Sequence, residues 1–222
     1  MTEETNGLKQ RAAESAVAQV AGGMIVGLGS GSTAEFVLLE LSRRVRAGLQ
    51  IAAVPTSERT AARCRELEIP LAELNGTIDL AIDGADEVER GALNLIKGRG
   101  GALLREKIVA QACKRYLIVV DQTKLVDRLG AGRVPIEVVP FGWQSTARKI
   151  QELGGVPERR DFVTDNGNYI LDCAFGRIEA PIALSTDLHN IAGVAEHGLF
   201  LDLATEVHVG LPQGVEILKA NI

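Results

Sequence analysis

The stretch that most restricts this chain is Met24-Ile-Val-Gly-Leu-Gly-Ser-Gly-Ser-Thr33, an apolar run of strand length that breaks into glycine and serine and then opens a helical segment from about Thr33 to Arg46. A buried strand, a glycine-rich turn and a helix in that order begin a parallel α/β sheet, because a parallel neighbour is reached only through a crossover. Upstream, residues 8–21 are alanine-rich with helical spacing, and Gly22-Gly23 ends that helix. Downstream the alternation continues. Ile51-Ala-Ala-Val54 reads as a strand, Ser57 to Leu67 as a helix opened by a serine cap, and Leu80-Ala-Ile82 as a buried strand ending at Asp83-Gly84. A helix from about Ala102 to Cys113 and the strand Tyr116-Leu-Ile-Val-Val120 complete the pattern.

After about Gly132 the texture changes to shorter strands (Val134–Val139, Val163, Tyr169–Cys173, Ala204–Val209) and two short helices, near Gln144–Leu153 and Ser185–Ile191. The expected organisation is a βαβ-rich α/β domain over residues 1–131 and a smaller α+β domain with antiparallel pairing over 132–208. The tail, about 209–222, is free to return to the first sheet.

Composition removes several classes of function. A formal net charge of −5 argues against nucleic acid or an anionic membrane as partner, since both are attracted by dense Lys/Arg. The basic clusters Arg43-Arg44 with Arg46, and Arg159-Arg160, read as solvated surface. Cys64, Cys113 and Cys173 are odd in number and widely spaced, which suits core thiols of a reducing compartment rather than disulfides or a thiolate metal site. The polar N-terminus lacks the pattern of a signal peptide and no apolar run reaches membrane-span length, so a cytoplasmic protein is expected. The 24 glycines exceed the usual ~7%, and they concentrate in the segments that carry chemistry.

Four such segments stand out, three of them directly after predicted strands, on the sheet edge where open α/β folds bind ligands. In Gly27-Leu-Gly-Ser-Gly-Ser-Thr-Ala34 the spacing satisfies one form of the dinucleotide fingerprint, yet Pro55-Thr56-Ser57 stands where the second strand would need an acid for a ribose hydroxyl. What remains is a run of backbone N–H groups at a helix N-terminus beside Ser30, Ser32 and Thr33, suited to a phosphate monoester; a turn capped by Ser/Thr is the plain alternative. Asp83-Gly-Ala-Asp-Glu87 places carboxylates at the mouth of the sheet, with metal binding as a rival reading weakened by the absence of a nearby histidine. Lys97-Gly-Arg-Gly-Gly101 followed by Glu106 combines a cation, a close-approaching backbone and a carboxylate: a base to move a proton beside a carbonyl, and donors for the resulting enolate oxygen. Lys124, just past a strand, adds a second cation. His189, His197 and His208 show no ligand spacing and read as structural or surface residues of the second domain, with Trp143 as a packing residue there.

Taken together, Gly29-Ser-Gly-Ser-Thr33, Asp83-Gly-Ala-Asp-Glu87, Lys97-Gly-Arg-Gly-Gly-Ala102, Arg105-Glu-Lys107 and Asp121-Gln-Thr-Lys124 resemble the A-type ribose-5-phosphate isomerases. The likeness continues through Val134-Pro-Ile-Glu-Val-Val-Pro140, Leu153-Gly-Gly155 and Val163-Thr-Asp-Asn-Gly-Asn168. The resemblance implies a Rossmann-like α/β domain with a small ferredoxin-like α+β domain, no cofactor and no metal, and a homodimer or larger homo-oligomer. It implies an aldose-ketose isomerase acting on a small sugar phosphate. It assigns Glu106 as general base, Lys97 with the amides of Gly98 and Gly100 to the enediolate, and Asp83 and Asp86 to sugar hydroxyls and proton movement between oxygens. Ser30, Gly31, Ser32 and Thr33 become the substrate loop, Gly84 and Ala85 part of its surroundings, and Lys124 a partner of the phosphate, with Lys9 a weaker match. Arg99 stands where many relatives have glycine, which leaves open whether its side chain or only its backbone takes part.

Overall fold

The computed structural model describes residues 3–220. It contains, in chain order, α1 (Glu3–Val17), β1 (Ile25–Leu28), α2 (Ser32–Arg46), β2 (Ala52–Pro55), α3 (Glu58–Glu66), β3 (Leu80–Asp83), β4 (Glu87–Glu89), β5 (Leu95–Ile96) and α4 (Leu103–Ala112). There follow β6 (Tyr116–Asp121), a 3-10 turn at Gln122–Lys124, β7 (Leu125–Val126), β8 (Val134–Val138), α5 (Trp143–Glu152), β9 (Val156–Val163) and β10 (Tyr169–Ala174). The run ends with α6 (Pro181–His189), β11 (Val194–His197), β12 (Leu199–Phe200), β13 (Glu206–Leu211) and β14 (Gly214–Lys219). Among the described residues no helix is long and apolar enough to cross a membrane.

The chain forms two compact units. One holds the residues up to Ala85, Arg105–Lys124 and those from Leu203 onward; the other holds Asp86–Leu104 and Leu125–Asp202. This differs from a single cut near 131. The segments 86–104 and 125–131 carry β4, β5 and β7, which among the described residues have only each other and β12 as strand partners, in a small sheet ordered β12-β5-β4-β7.

The first unit is Rossmann-like. Its six-stranded sheet runs β14-β13-β6-β3-β1-β2, with every neighbour parallel except the β13–β14 hairpin at the edge. Strands β3 and β6 are buried along their whole length, as parallel strands covered on both faces must be. Ala12, Ala13, Ala16 and Val17 of α1 and Val37, Leu38 and Leu41 of α2 enter one core with Val26, Leu28, Ile82, Leu117 and Val119. The Ser57 hydroxyl accepts from the Thr60 amide at 3.1 Å, the cap the sequence implied for α3. Arg44 does more than face solvent. Its guanidinium donates to the carbonyls of Val17 and Val20, tying α2 to the chain at and just beyond the end of α1.

The second unit contains β8-α5-β9-β10-α6-β11 with the antiparallel sheet order β11-β8-β10-β9, the ferredoxin-like βαββαβ arrangement. Its core gathers Val134, Ile136, Val138, Ile150, Leu171, Cys173 and Leu188. All three cysteines are free thiols, and burial pushes Cys64 and Cys113 up to about 11 and Cys173 up to about 12. His208 is a correction to the sequence reading: it lies on β13 in the first unit, wholly buried, because β13 pairs with β6 some ninety residues earlier.

Candidate active site

In the first unit, β1 ends beneath a carboxylate. A Cβ on Gly29 would lie 1.8 Å from Asp83 Oδ1, so only glycine lets the loop pass there. Gly31, at φ 112°, is the N-cap of α2, and no side chain caps that helix. Its first amides therefore carry no side-chain cap, so the Ser/Thr cap of the plain alternative is not formed. Ser32 Oγ accepts a hydrogen bond from the Lys9 ammonium at 3.0 Å. Lys9 is 5% exposed; burial pulls it below its ordinary value, Asp121 pushes it back up and Lys124 pulls it down again. Lys9, Lys124 and the start of α2 thus gather around one place. Ser30 behaves differently from its neighbours. Its hydroxyl is engaged by Thr56 (3.0 Å), Ser57 (2.8 Å) and Thr60 (3.1 Å), so its side chain ties the loop to the start of α3. The position where a dinucleotide fold needs an acid is filled by this hydroxyl cluster.

Asp83 closes β3 at 2% exposure. Its Oδ1 accepts the Gly84 amide at 2.7 Å and its Oδ2 accepts the Tyr116 hydroxyl at 3.3 Å. Gly84 sits with its missing Cβ 3.6 Å from Thr33, which brings the carboxylate segment to the substrate loop. Glu106 lies in the first turn of α4 at 3% exposure. The Tyr116 phenol is pushed well above its ordinary value, first by burial and then by the negative charges of Asp83 and Glu106. The phenol therefore stays protonated and donates to Asp83, under the added influence of the Glu106 charge. Sequence reading took Tyr116 for strand core. The available signal was a tyrosine in an otherwise aliphatic buried strand, whose hydroxyl must find a partner.

In the second unit, Lys97 follows β5 and is 3% exposed, its ammonium 5.4 Å from the centre of the Phe200 ring. The loop after it turns through Gly98 at φ 110° and Gly101 at φ 81°. The Arg99 amide donates to Asp86 Oδ2 at 3.0 Å. Arg99 is exposed, and it lines a cavity of about 430 Å³ with Asp86, Glu87, Arg133, Arg160 and Asp172. Arg160 is no solvated charge, being paired with Asp172; Arg159 lies 5.4 and 4.9 Å from the ring centres of Trp143 and Tyr169.

Among the described residues one group has ligand types close enough for a metal, His189, Glu196 and His197, so two of the histidines meet in space although their sequence spacing gave no hint. The Leu199 amide donates to His197 Nδ1 at 3.3 Å, which puts the neutral ring's proton on Nε2, facing Ser185 Oγ at 3.1 Å. That tautomer fits a structural hydrogen-bonding role.

A family model described as ribose 5-phosphate isomerase A (phosphoriboisomerase A) matches residues 52–214. Ribose-5-phosphate isomerase A of Gluconobacter oxydans is 52% identical over 218 residues, covering 94% of each chain. That of Gloeobacter violaceus is 52% identical over 222 residues, covering 96% of each. Among solved structures, ribose 5-phosphate isomerase A from Methanocaldococcus jannaschii superposes with a TM-score of 0.92 at 40% identity, covering 96% of this chain and 98% of that one. A D-ribose-5-phosphate isomerase in complex with phospho-erythronic acid gives 0.94 at 38% identity, covering 99% and 100%. Agreement over nearly the whole length in sequence and in backbone leaves one conclusion: the chain belongs to the ribose-5-phosphate isomerase A family.

Proposed function

We propose that this chain interconverts D-ribose 5-phosphate and D-ribulose 5-phosphate, the aldose-ketose isomerisation of the non-oxidative pentose phosphate pathway. Glu106 removes the C2 proton of the open-chain aldose, and the electron pair moves toward the C1 carbonyl to give an enediolate. Lys97 and the amides of Gly98 and Gly100 carry the charge that develops on oxygen. Asp83 passes the hydroxyl proton from O2 to O1, with Asp86 holding sugar hydroxyls, and Glu106 returns its proton to C1. The substrate is neither oxidised nor reduced overall, so the scheme asks for no redox cofactor, and Lys97 with the loop amides takes the stabilising role that would otherwise call for a metal.

The Gly31–Thr33 turn with Lys124 and Lys9 holds the phosphate, supported by the uncapped start of α2 and the Lys9–Ser32 contact. Ser30 contributes backbone and holds the loop's shape. Gly84 and Ala85 form part of the surroundings of the substrate loop. The observation that carries the reading is the pair of buried carboxylates, Asp83 at the C-terminal end of β3 and Glu106 in the first turn of α4, whose charges both act on the protonated Tyr116 phenol. Phospho-erythronic acid, found in the solved relative, has a planar carboxylate resembling the enediolate and is expected to inhibit this chain by competition. We place the enzyme in the cytoplasm as a homodimer or larger homo-oligomer. The apolar side chains that the second unit leaves in water, Phe141, Val156, Val163 and Ile182, support self-association.

The test is turnover of ribose 5-phosphate by purified protein with a chelator present, beside Glu106→Gln. The variant is expected to lose at least ~10²-fold in kcat with KM little changed. Near-normal turnover by the variant overturns the base assignment, and loss of wild-type activity to the chelator overturns the metal-free scheme.

A further inference from the structure

Strand β9 is irregular where it passes the catalytic glycine loop. Between Tyr169 and Leu171 of β10 its partner residues advance from Val163 to Arg159, so three residues of β9, Arg160 to Phe162, stand opposite the single Ile170, two more than regular pairing allows. Bulges of this kind re-aim side chains, and both Arg160 and Phe162 reach the loop. The Arg160 guanidinium is held by Asp172 through two parallel bonds, Nε to Oδ2 at 2.9 Å and Nη2 to Oδ1 at 2.6 Å. The third nitrogen, Nη1, then donates to the carbonyls of Arg99 at 3.0 Å and Gly98 at 3.4 Å. The Phe162 ring lies against Gly101, where an added Cβ would come within 2.4 Å of it.

These contacts decide where the loop's amides point. The Arg99 amide is taken by Asp86 and the Gly101 amide by the Gly98 carbonyl at 3.0 Å. Of the run from Arg99 to Gly101, the Gly100 N–H is the one with no acceptor among the described residues. The peptide is trans, so its N–H points opposite its C=O. By fixing the Arg99 carbonyl, Arg160 aims the Gly100 N–H away from itself.

We infer that Arg160, anchored by Asp172 and assisted by Phe162, is a positioning residue that presets the Gly98–Gly101 loop so that the Gly100 amide meets the enediolate oxygen. The inference rests on the proposed role of that loop in the isomerisation. A lysine at 160 keeps the charge but cannot form the fork on Asp172 while donating to the loop. Misplacement of such a donor by a fraction of an ångström to one ångström costs up to ~10²-fold.

The experiment measures kcat, KM, the inhibition constant of phospho-erythronic acid and thermal unfolding for Arg160→Lys, Arg160→Ala and Asp172→Asn. Arg160→Lys is expected to unfold near the wild-type temperature, to lose about 10- to 100-fold in kcat with KM within about threefold, and to bind phospho-erythronic acid more weakly by a similar factor. Millimolar guanidinium is expected to restore part of the activity of Arg160→Ala. Asp172→Asn gives the same signature at smaller amplitude and serves if Arg160→Ala does not fold. Turnover of Arg160→Lys within about twofold of wild type, or lost kcat with unchanged affinity for phospho-erythronic acid, overturns the inference. Glu106→Gln run in parallel separates the two levels. Normal turnover of Arg160→Lys beside an inactive Glu106→Gln removes only the role of Arg160, whereas an active Glu106→Gln removes the underlying reading of the site.

Discussion

Asp83 shows how one side chain dictates a backbone far from it in sequence. Its carboxylate occupies the volume a side chain at Gly29 would need, with 1.8 Å between Oδ1 and an added Cβ. Gly29→Ala therefore displaces either the loop or the carboxylate, and turnover is expected to fall at least ~10-fold, with a lower unfolding temperature. Gly22→Ala, where an added Cβ meets nothing within 4 Å, is the control and is expected to leave both unchanged. Lys9 carries a different prediction. Its ammonium bonds Ser32 and feels Lys124, so Lys9→Met would remove the proposed charge-assisted phosphate contact, worth about 1.5–3 kcal/mol. The expected result in steady-state kinetics is a KM about 10- to 100-fold higher with kcat largely kept; unchanged KM contradicts the phosphate site. At this scale sequence reading identified residue types well and directions poorly. Ser30 was visible as a loop hydroxyl, but its attachment to Thr56, Ser57 and Thr60 depends on how α3 begins beside β1.

Among the elements, the packing of α1 on β13 links pH to stability. His208 is buried on β13, with Ser15 Oγ 2.8 Å from Nδ1 and the Gln19 amide 3.1 Å from Nε2. Burial lowers its pKa; Glu206 works the other way and Arg115 adds to the lowering. The folded protein thus holds this ring neutral at pH values where the unfolded chain already binds a proton. Its contribution is present above the unfolded value near 6.5 and is lost as pH falls below that value toward the lower folded one. His208→Gln is expected to flatten the decline of melting temperature on the acid side of that value relative to wild type, and parallel curves would contradict the assignment. The elements missed by sequence reading share a physical reason. The middle of β9 reads Glu-Arg-Arg-Asp and buries neither face, so it mimics a solvated loop and hides the position of Arg160. Strands β4, β5, β7 and β12 are two or three residues long, too short for a period of two to show.

At the scale of the whole molecule, the α/β and α+β classes were legible because long periodic segments and strand-end glycines report local structure, whereas the Rossmann-like and ferredoxin-like arrangements were implied by the family resemblance. The division into units was less so. It follows pairings such as β13 with β6 and β4 with β7, which no local pattern encodes. The net charge of −5 is reconciled with the proposed anionic substrate by placement: Lys9 on α1 and Lys97 after β5 are buried, and Lys124 after β6 is half-buried. The central claim is that this fold holds Glu106 as the base that carries a proton between C2 and C1. The most direct measurement is deuterium uptake into the sugar phosphate in D₂O, followed by NMR, for wild type and Glu106→Gln. Wild type is expected to exchange the migrating hydrogen with solvent during turnover, and the variant to do so at least ~10²-fold more slowly. Exchange by Glu106→Gln at close to the wild-type rate would contradict the account.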